Sequence, residues 1–166
     1  MGVKIPVVHK YQTNLNNCGP ASLQMVLGYF KTIETQKRLS KRLKTNSDVG
    51  TNVSAMINEA RRQGFYCYVN NDTVVSEIRY FIARHLPVII LYIEQADNME
   101  HYSVIRGFKG KTFFISDPWS GNIKIKEAEF IARWHDKSLK FNNWLMVLSP
   151  EPLGLGKQYR PSKKKI

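Results

Sequence analysis

The stretch Gln12-Thr13-Asn14-Leu15-Asn16-Asn17-Cys18-Gly19-Pro20-Ala21, running on into Ser22-Leu23-Gln24-Met25-Val26-Leu27-Gly28-Tyr29-Phe30, decides how the rest of the chain is read. Gly19 and Pro20 punctuate the chain just after a cysteine, and proline is tolerated in the first helical turn, where its missing N–H has no partner to lose. A helix is predicted to begin at Cys18 to Pro20. Leu23, Val26, Leu27 and Phe30 follow at i, i+3, i+4 and i+7 and form one apolar stripe for a core. A thiol at the positive end of such a helix, beside free backbone N–H groups, is stabilised as thiolate, its nucleophilic form. The stretch reads as a cysteine nucleophile.

On the N-terminal side, Val3 to Lys10 is short, apolar and interrupted by Pro6, an extended arm that delivers Gln12 to the core. On the other side, Thr35 to Leu43 predicts a basic helix with a narrow Leu39/Leu43 stripe, closed by a loop holding Asn46, Ser47, Asp48 and Gly50. Thr51 or Asn52 caps a third helix, in which Val53, Met56, Ile57 and Ala60 repeat the helical spacing before Gly64 stops it. A strand around Tyr66 to Val69 precedes a fourth helix, capped by Asp72 or Thr73, with Val74, Ile78, Phe81 and Ile82 inward. From Pro87 onward the segments are short and β-rich: Val88 to Ile93, Tyr102 to Phe108, Thr112 to Ser116 and Ile123 to Ile125. Lys109-Gly110-Lys111 and Trp119-Ser120-Gly121-Asn122 are turn signals between them. A short helix from Glu127 to Trp134 and a strand from Trp144 to Leu148 follow. Helices first and antiparallel sheet second make an α+β fold, with residues 1–150 as a single domain and residues 151–166 as a basic, flexible tail.

The 166 residues, 43% of them hydrophobic, suit that one domain. The longest apolar run, Leu86 to Ile93, contains Pro87 and is too short to span a bilayer, and the N-terminus lacks the apolar centre of a signal peptide. A soluble, cytoplasmic protein is expected. Two cysteines make no disulfide framework, and Cys67, sharing a strand face with Phe65 and Val69, reads as a buried structural thiol. The formal net charge of +12 raises the question of nucleic acid or an acidic membrane. Residues 31–44 hold six bases against Glu34, and the chain beyond Glu151 holds five with no acid, which accounts for ten of the twelve charges. One set reads as the solvated face of a helix and the other as the tail, which argues against nucleic acid and leaves a peripheral membrane contact to the Lys163-Lys164-Lys165 end. No zinc spacing and no glycine-rich phosphate loop is present, so neither metal nor cofactor is expected.

A cysteine nucleophile needs a base, and the base needs an orienting group. His101 opens the segment His101-Tyr-Ser-Val-Ile-Arg-Gly-Phe108, and Asp117 ends the strand Phe114-Ile-Ser-Asp117 before Pro118. Pairing of the two strands across Lys109-Gly110 sets the start of one beside the end of the other and makes His101 and Asp117 neighbours. The carboxylate then fixes the imidazole tautomer and stabilises imidazolium beside thiolate. Gln12 offers a side-chain amide as an oxyanion donor alongside the Cys18 backbone N–H.

Gln12, Asn17-Cys18-Gly19-Pro20-Ala21, His101-Tyr-Ser-Val-Ile and Asp117-Pro118, in that order, resemble the C39 peptidases, papain-like cysteine proteases known as processing domains of bacteriocin-exporting ABC transporters. The similarity covers roughly Val7 to Leu148. It implies a helical lobe packed against a lobe of antiparallel sheet with the active site between them. It also implies Cys18 as nucleophile, His101 as general base and acid, Asp117 as orienter and Gln12 as oxyanion donor. The implied activity is endopeptidase cleavage of an extended peptide, of the Gly-Gly leader type in the transporter-coupled members. Asn17 departs from the family, whose members commonly carry Asp before the cysteine. The same residues also fit an acyltransferase, in which an amine replaces water, and a non-catalytic C39-like peptide-binding module.

Overall fold

The computed structural model describes residues 2–162, which form five helices and an eight-stranded sheet. In chain order these are β1 (Gly2–Lys4), α1 (Cys18–Tyr29), α2 (Gln36–Leu43), α3 (Val53–Arg62), β2 (Tyr66–Asn70), α4 (Val75–Ala83), β3 (Val88–Ile93), β4 (Glu100–Lys109), β5 (Thr112–Asp117), β6 (Gly121–Lys126), α5 (Glu127–Arg133), β7 (Leu145–Ser149) and β8 (Gln158–Tyr159).

Local chemistry explains most boundaries. The Thr35 hydroxyl accepts from Arg38 N at 3.2 Å and starts α2, which Lys44 closes in the left-handed conformation. Asn52 accepts from Ser54 N at 2.8 Å and starts α3, and Gly64, at φ +94°, lets the chain turn away. The expected fourth helix differs at its start. Val74 is at the cap, extended and 60% exposed, while Thr73 is buried with its hydroxyl donating to Asn143 O at 2.7 Å. Because Val74 precedes the first helical turn, it falls outside the 3.6-residue period that turns Ile78, Phe81 and Ile82 into the core.

The sheet runs β6-β5-β4-β3-β7-β2-β8, all antiparallel, and β1 pairs with the far end of β4, Gly2 opposite Lys109. Leu23, Val26 and Leu27 of α1 are fully buried, as are Val88 to Ile90 of β3 and Leu145 to Leu148 of β7, so the helical lobe packs on the sheet through one continuous core. Trp134 and Trp144 are enclosed together, with the Trp134 indole N–H satisfied by Trp144 O at 2.9 Å.

The C-terminal stretch, expected as a flexible tail from residue 151, lies against the domain as far as it is described. Tyr159 and Gln158 pair with Cys67 and Tyr68 of β2, Leu153 and Leu155 pack on the core, and Arg61 Nε donates to Arg160 O at 2.7 Å. An otherwise open edge of β2 supplies the N–H and C=O groups that recruit this segment. The Lys163-Lys164-Lys165 end lies outside the described residues. No described helix is long and apolar enough to cross a membrane, and no group of three or more His, Cys, Asp or Glu among the described residues is placed to hold a metal ion.

Candidate active site

Cys18 is the first residue of α1, half-buried at the base of a cleft of about 850 Å³ between the two lobes. Val53 and Ile57 of α3 form one wall, and Leu91, His101 and Trp144 from the sheet side form the other. Asn17, at the N-cap position of α1, makes no capping bond, because its side chain donates to Thr13 Oγ1 at 3.0 Å and accepts from Ser40 Oγ at 3.1 Å. The first N–H groups of the helix are left without a side-chain cap, and Pro20 removes one donor outright. The backbone approaches its surroundings closely at this point. A Cβ on Gly19 would lie 2.6 Å from Thr51 Oγ1, so only glycine permits the contact that seats the helix start.

His101, on β4, is almost fully buried, and Asp117, at the end of β5, is completely so. His101 Nε2 is 3.1 Å from Asp117 Oδ1, and the imidazole lines the same cleft as Cys18. With Nε2 engaged by the carboxylate, Nδ1 is the ring nitrogen outside that bond. Asp117 is held on both oxygens. The backbone N–H groups of Trp119 and Ser120 donate to Oδ1 at 2.8 and 2.9 Å, and the hydroxyls of Tyr92 and Ser103 lie 2.5 and 3.2 Å from Oδ2.

The electrostatics follow from these contacts. Burial alone pushes the Asp117 carboxyl up, but the hydrogen bond and charge of His101, with the donors Tyr92 and Ser120 N–H, outweigh it and hold the group at about 2. Burial alone pulls His101 down, but hydrogen bonds and charge from Asp117 and Cys18 raise it to about 10. Burial and the adjacent Asp117 charge push the Tyr92 hydroxyl upward, so it remains a proton donor. In contrast, Cys67 is fully buried in β2, and burial pushes its thiol up to about 12.

Gln12 is placed differently. Its backbone N–H donates to Pro118 O at 2.9 Å, which ties the arm to the turn after Asp117. Its side-chain Nε2 donates to Asn14 O at 2.8 Å, leaving one amide hydrogen free, and its Oε1 is buried without a partner. The structure thus joins His101 to Asp117, sets Cys18 and His101 on one cleft, and ties Gln12 to the turn after Asp117 through the backbone.

Three contributors escaped the reading of the sequence. Tyr92 stands opposite His101 in the β3–β4 register, and Ser103 shares its face two residues on. A lone tyrosine at the end of the apolar run Val88 to Ile93 was the available signal. His9, on the N-terminal arm, is half-buried with Nε2 2.7 Å from Asp117 O.

A helix-start cysteine facing a carboxylate-held histidine across two lobes defines a papain-like cysteine-peptidase fold. The profile of the Peptidase C39 family matches residues 6–143, and the chain belongs to that family. Among solved structures it is similar to a double-glycine-motif protease from an AMS/PCAT transporter in complex with its leader peptide, at 26% identity and a TM-score of 0.69, covering 90% of this chain and 95% of that one. A C39-like peptidase from Bacillus anthracis matches at 15% identity and a TM-score of 0.72, over 91% and 98% of the two chains, a likeness of fold. The mesentericin-Y105 transport/processing ATP-binding protein of Leuconostoc mesenteroides is 27% identical over 171 residues, 98% of this chain. The pediocin PA-1 transport/processing ATP-binding protein of Pediococcus acidilactici is 27% identical over 132 residues, 76% of this chain. The chain spans about a fifth of the length of these two relatives, 21% and 18%.

Proposed function

We propose that this chain is a cytoplasmic thiol endopeptidase acting on an extended peptide, of the double-glycine leader type processed by its relative. Cys18 thiolate attacks the scissile carbonyl. The oxyanion is met by the Cys18 backbone N–H and by the free amide hydrogen of Gln12. His101 imidazolium passes its Nδ1 proton to the leaving amine, and the acyl group stays on sulfur. Water, deprotonated by His101, then releases the acid and restores the thiolate beside the imidazolium. Asp117 holds the ring in the tautomer that keeps Nδ1 toward sulfur throughout.

The observation that carries this reading is the fivefold anchoring of Asp117 behind His101. Burying a carboxylate so completely is costly, and five donors are assembled to keep it charged at the back of the imidazole that shares the cleft with Cys18. The test is a mass-spectrometric cleavage profile of peptides, including ones with a Gly-Gly pair, incubated with the chain and with Cys18→Ala. New termini that appear only with the unaltered chain support the reading, and indistinguishable profiles refute it.

A further inference from the structure

A second cleft, of about 890 Å³, lies on the other side of the loop 13–17, between the N-terminal arm and α2. Helix α2 sorts its bases between two faces. Arg42 Nη1 is 2.9 Å from Glu34 and 3.3 Å from Glu59, and Arg38 Nε is 3.8 Å from Glu34, so the two arginines are neutralised by carboxylates. Lys37 and Lys41, each one residue earlier in the same i, i+4 spacing, line the cleft instead, with Lys44 at the helix end and Lys10 on the arm opposite. All four lysines are exposed, none has an acidic partner among the described residues, and no acidic residue lines the cleft.

The floor is neutral and its bonds are already made. Buried Gln36 donates to Tyr11 O and Gln24 Oε1 and accepts from Thr13 N, while Asn17 is held by Thr13 and Ser40. What the cleft offers a ligand is four uncompensated ammonium groups on a fixed polar base. It also adjoins the Cys18 cleft. Asn14 and Asn17 line the basic side while Leu15, Asn16 and Cys18 line the other, and Thr45 on the basic side is 2.7 Å from Thr51 on the other. At about 3.3 Å per residue, an extended peptide of a few residues crosses the loop.

We propose that this basic cleft receives an acidic segment of the same peptide that the Cys18 cleft processes, a substrate preference that rests on the peptidase reading. The lining contains no aromatic side chain on which a base could stack, and no apolar one to enter a bilayer, which favours carboxylates over nucleic acid or lipid.

The test uses two fluorescent peptides of one core sequence, flanked by four Glu or by four Gln, titrated against the intact chain and against Lys37→Glu/Lys41→Glu. At ~50 mM salt the Glu peptide should bind about tenfold tighter than the Gln peptide, an advantage lost at about 0.5 M salt and in the double variant. Binding and cleavage of the Gln peptide should not change in the variant. Equal affinities, or an advantage that survives the charge reversal, overturn the proposal, as does tighter, lysine-dependent binding of a single-stranded oligonucleotide of equal charge. Lys37→Gln/Lys41→Gln replaces the double variant if the latter melts early. Binding is read without turnover, so a chain that prefers the acidic peptide but cuts neither refutes the peptidase reading and leaves the acidic-peptide cleft standing.

Discussion

Replacing Tyr92 by phenylalanine removes one hydroxyl and leaves the buried ring shape unchanged. That hydroxyl donates to Asp117 Oδ2 at 2.5 Å, where both partners are fully buried. A hydrogen bond to a charged group contributes about 1.5–3 kcal/mol, and because Ser103 still donates to the same oxygen, the lower part of that range, ~1.5–2 kcal/mol, is expected. With a urea slope of about 2 kcal/mol per molar, the unfolding midpoint should fall by ~1 M at neutral pH, read from the fluorescence of the three tryptophans. The pH dependence separates this bond from packing. Asp117 is held at about 2, below its ordinary 3.8, so its contribution to stability is present above 3.8 and is lost as pH falls through about 2. Losing the Tyr92 donor moves the folded-state value back toward 3.8. The penalty should therefore be full at pH ~7 and smaller at pH ~3. An equal penalty at both pH values, or none at either, refutes the claim that Tyr92 acts on the carboxylate.

Three other outcomes are expected. Gly19→Ala drives a Cβ to 2.6 Å from Thr51 Oγ1, which is itself 2.7 Å from Thr45, so it should cost about 1–3 kcal/mol in urea unfolding and slow iodoacetamide labelling of Cys18, while unchanged values of both would contradict the tight seat. Asn17→Asp should stay within ~1 kcal/mol of the unaltered chain, because Ser40 still donates and the Thr13 hydroxyl can reverse to donate where it now accepts, and a larger loss of melting stability would show that the amide itself is required. His101, raised from 6.5 to about 10, contributes stability that is complete below 6.5 and lost as pH rises through about 10, so alkaline unfolding should show a decline across that window that His101→Gln flattens.

The parts of the site legible in the sequence are those written in local chemistry. Cys18-Gly19-Pro20 and the stripe Leu23, Val26, Leu27 predicted α1 at its observed start, and Lys109-Gly110-Lys111 marked the hairpin that joins β4 to β5. Pairings between chain ends and the interior were not legible. Strands β1 and β8 have three and two residues, too few for a period, and they form because β4 and β2 present free edges that only the folded sheet creates. The Asp117 donors on Tyr92 and Ser103 were hidden for the same reason, since cross-strand register, not sequence distance, sets them beside the carboxylate.

The junction of His101 with Asp117 depends on one residue that a simple hairpin count passes over. Lys109 pairs with Thr112, Phe108 with Phe113 and Gly107 with Phe114, and continuing that register would set Asp117 opposite Val104. Directly opposed residues point to the same face and neighbours along a strand alternate, so Asp117 would then share a face with Val104 and Tyr102, away from His101. The observed register slips between Ile105 and Gly107, leaving Arg106 as the extra residue, and pairs Ile105 with Ile115 and Val104 with Ser116. Asp117 thereby moves to the face of Ser103, and with it of His101. The arm pins the slip in place, with Ile5 N donating to Arg106 O at 2.6 Å and Val3 O lying 2.4 Å from where a Gly107 Cβ would stand. A bulge that re-aims a side chain is a device that sheets use beside functional sites. Here the N-terminal arm, which ties Gln12 to Pro118 O just beyond Asp117, also holds the kink that turns Asp117 toward His101.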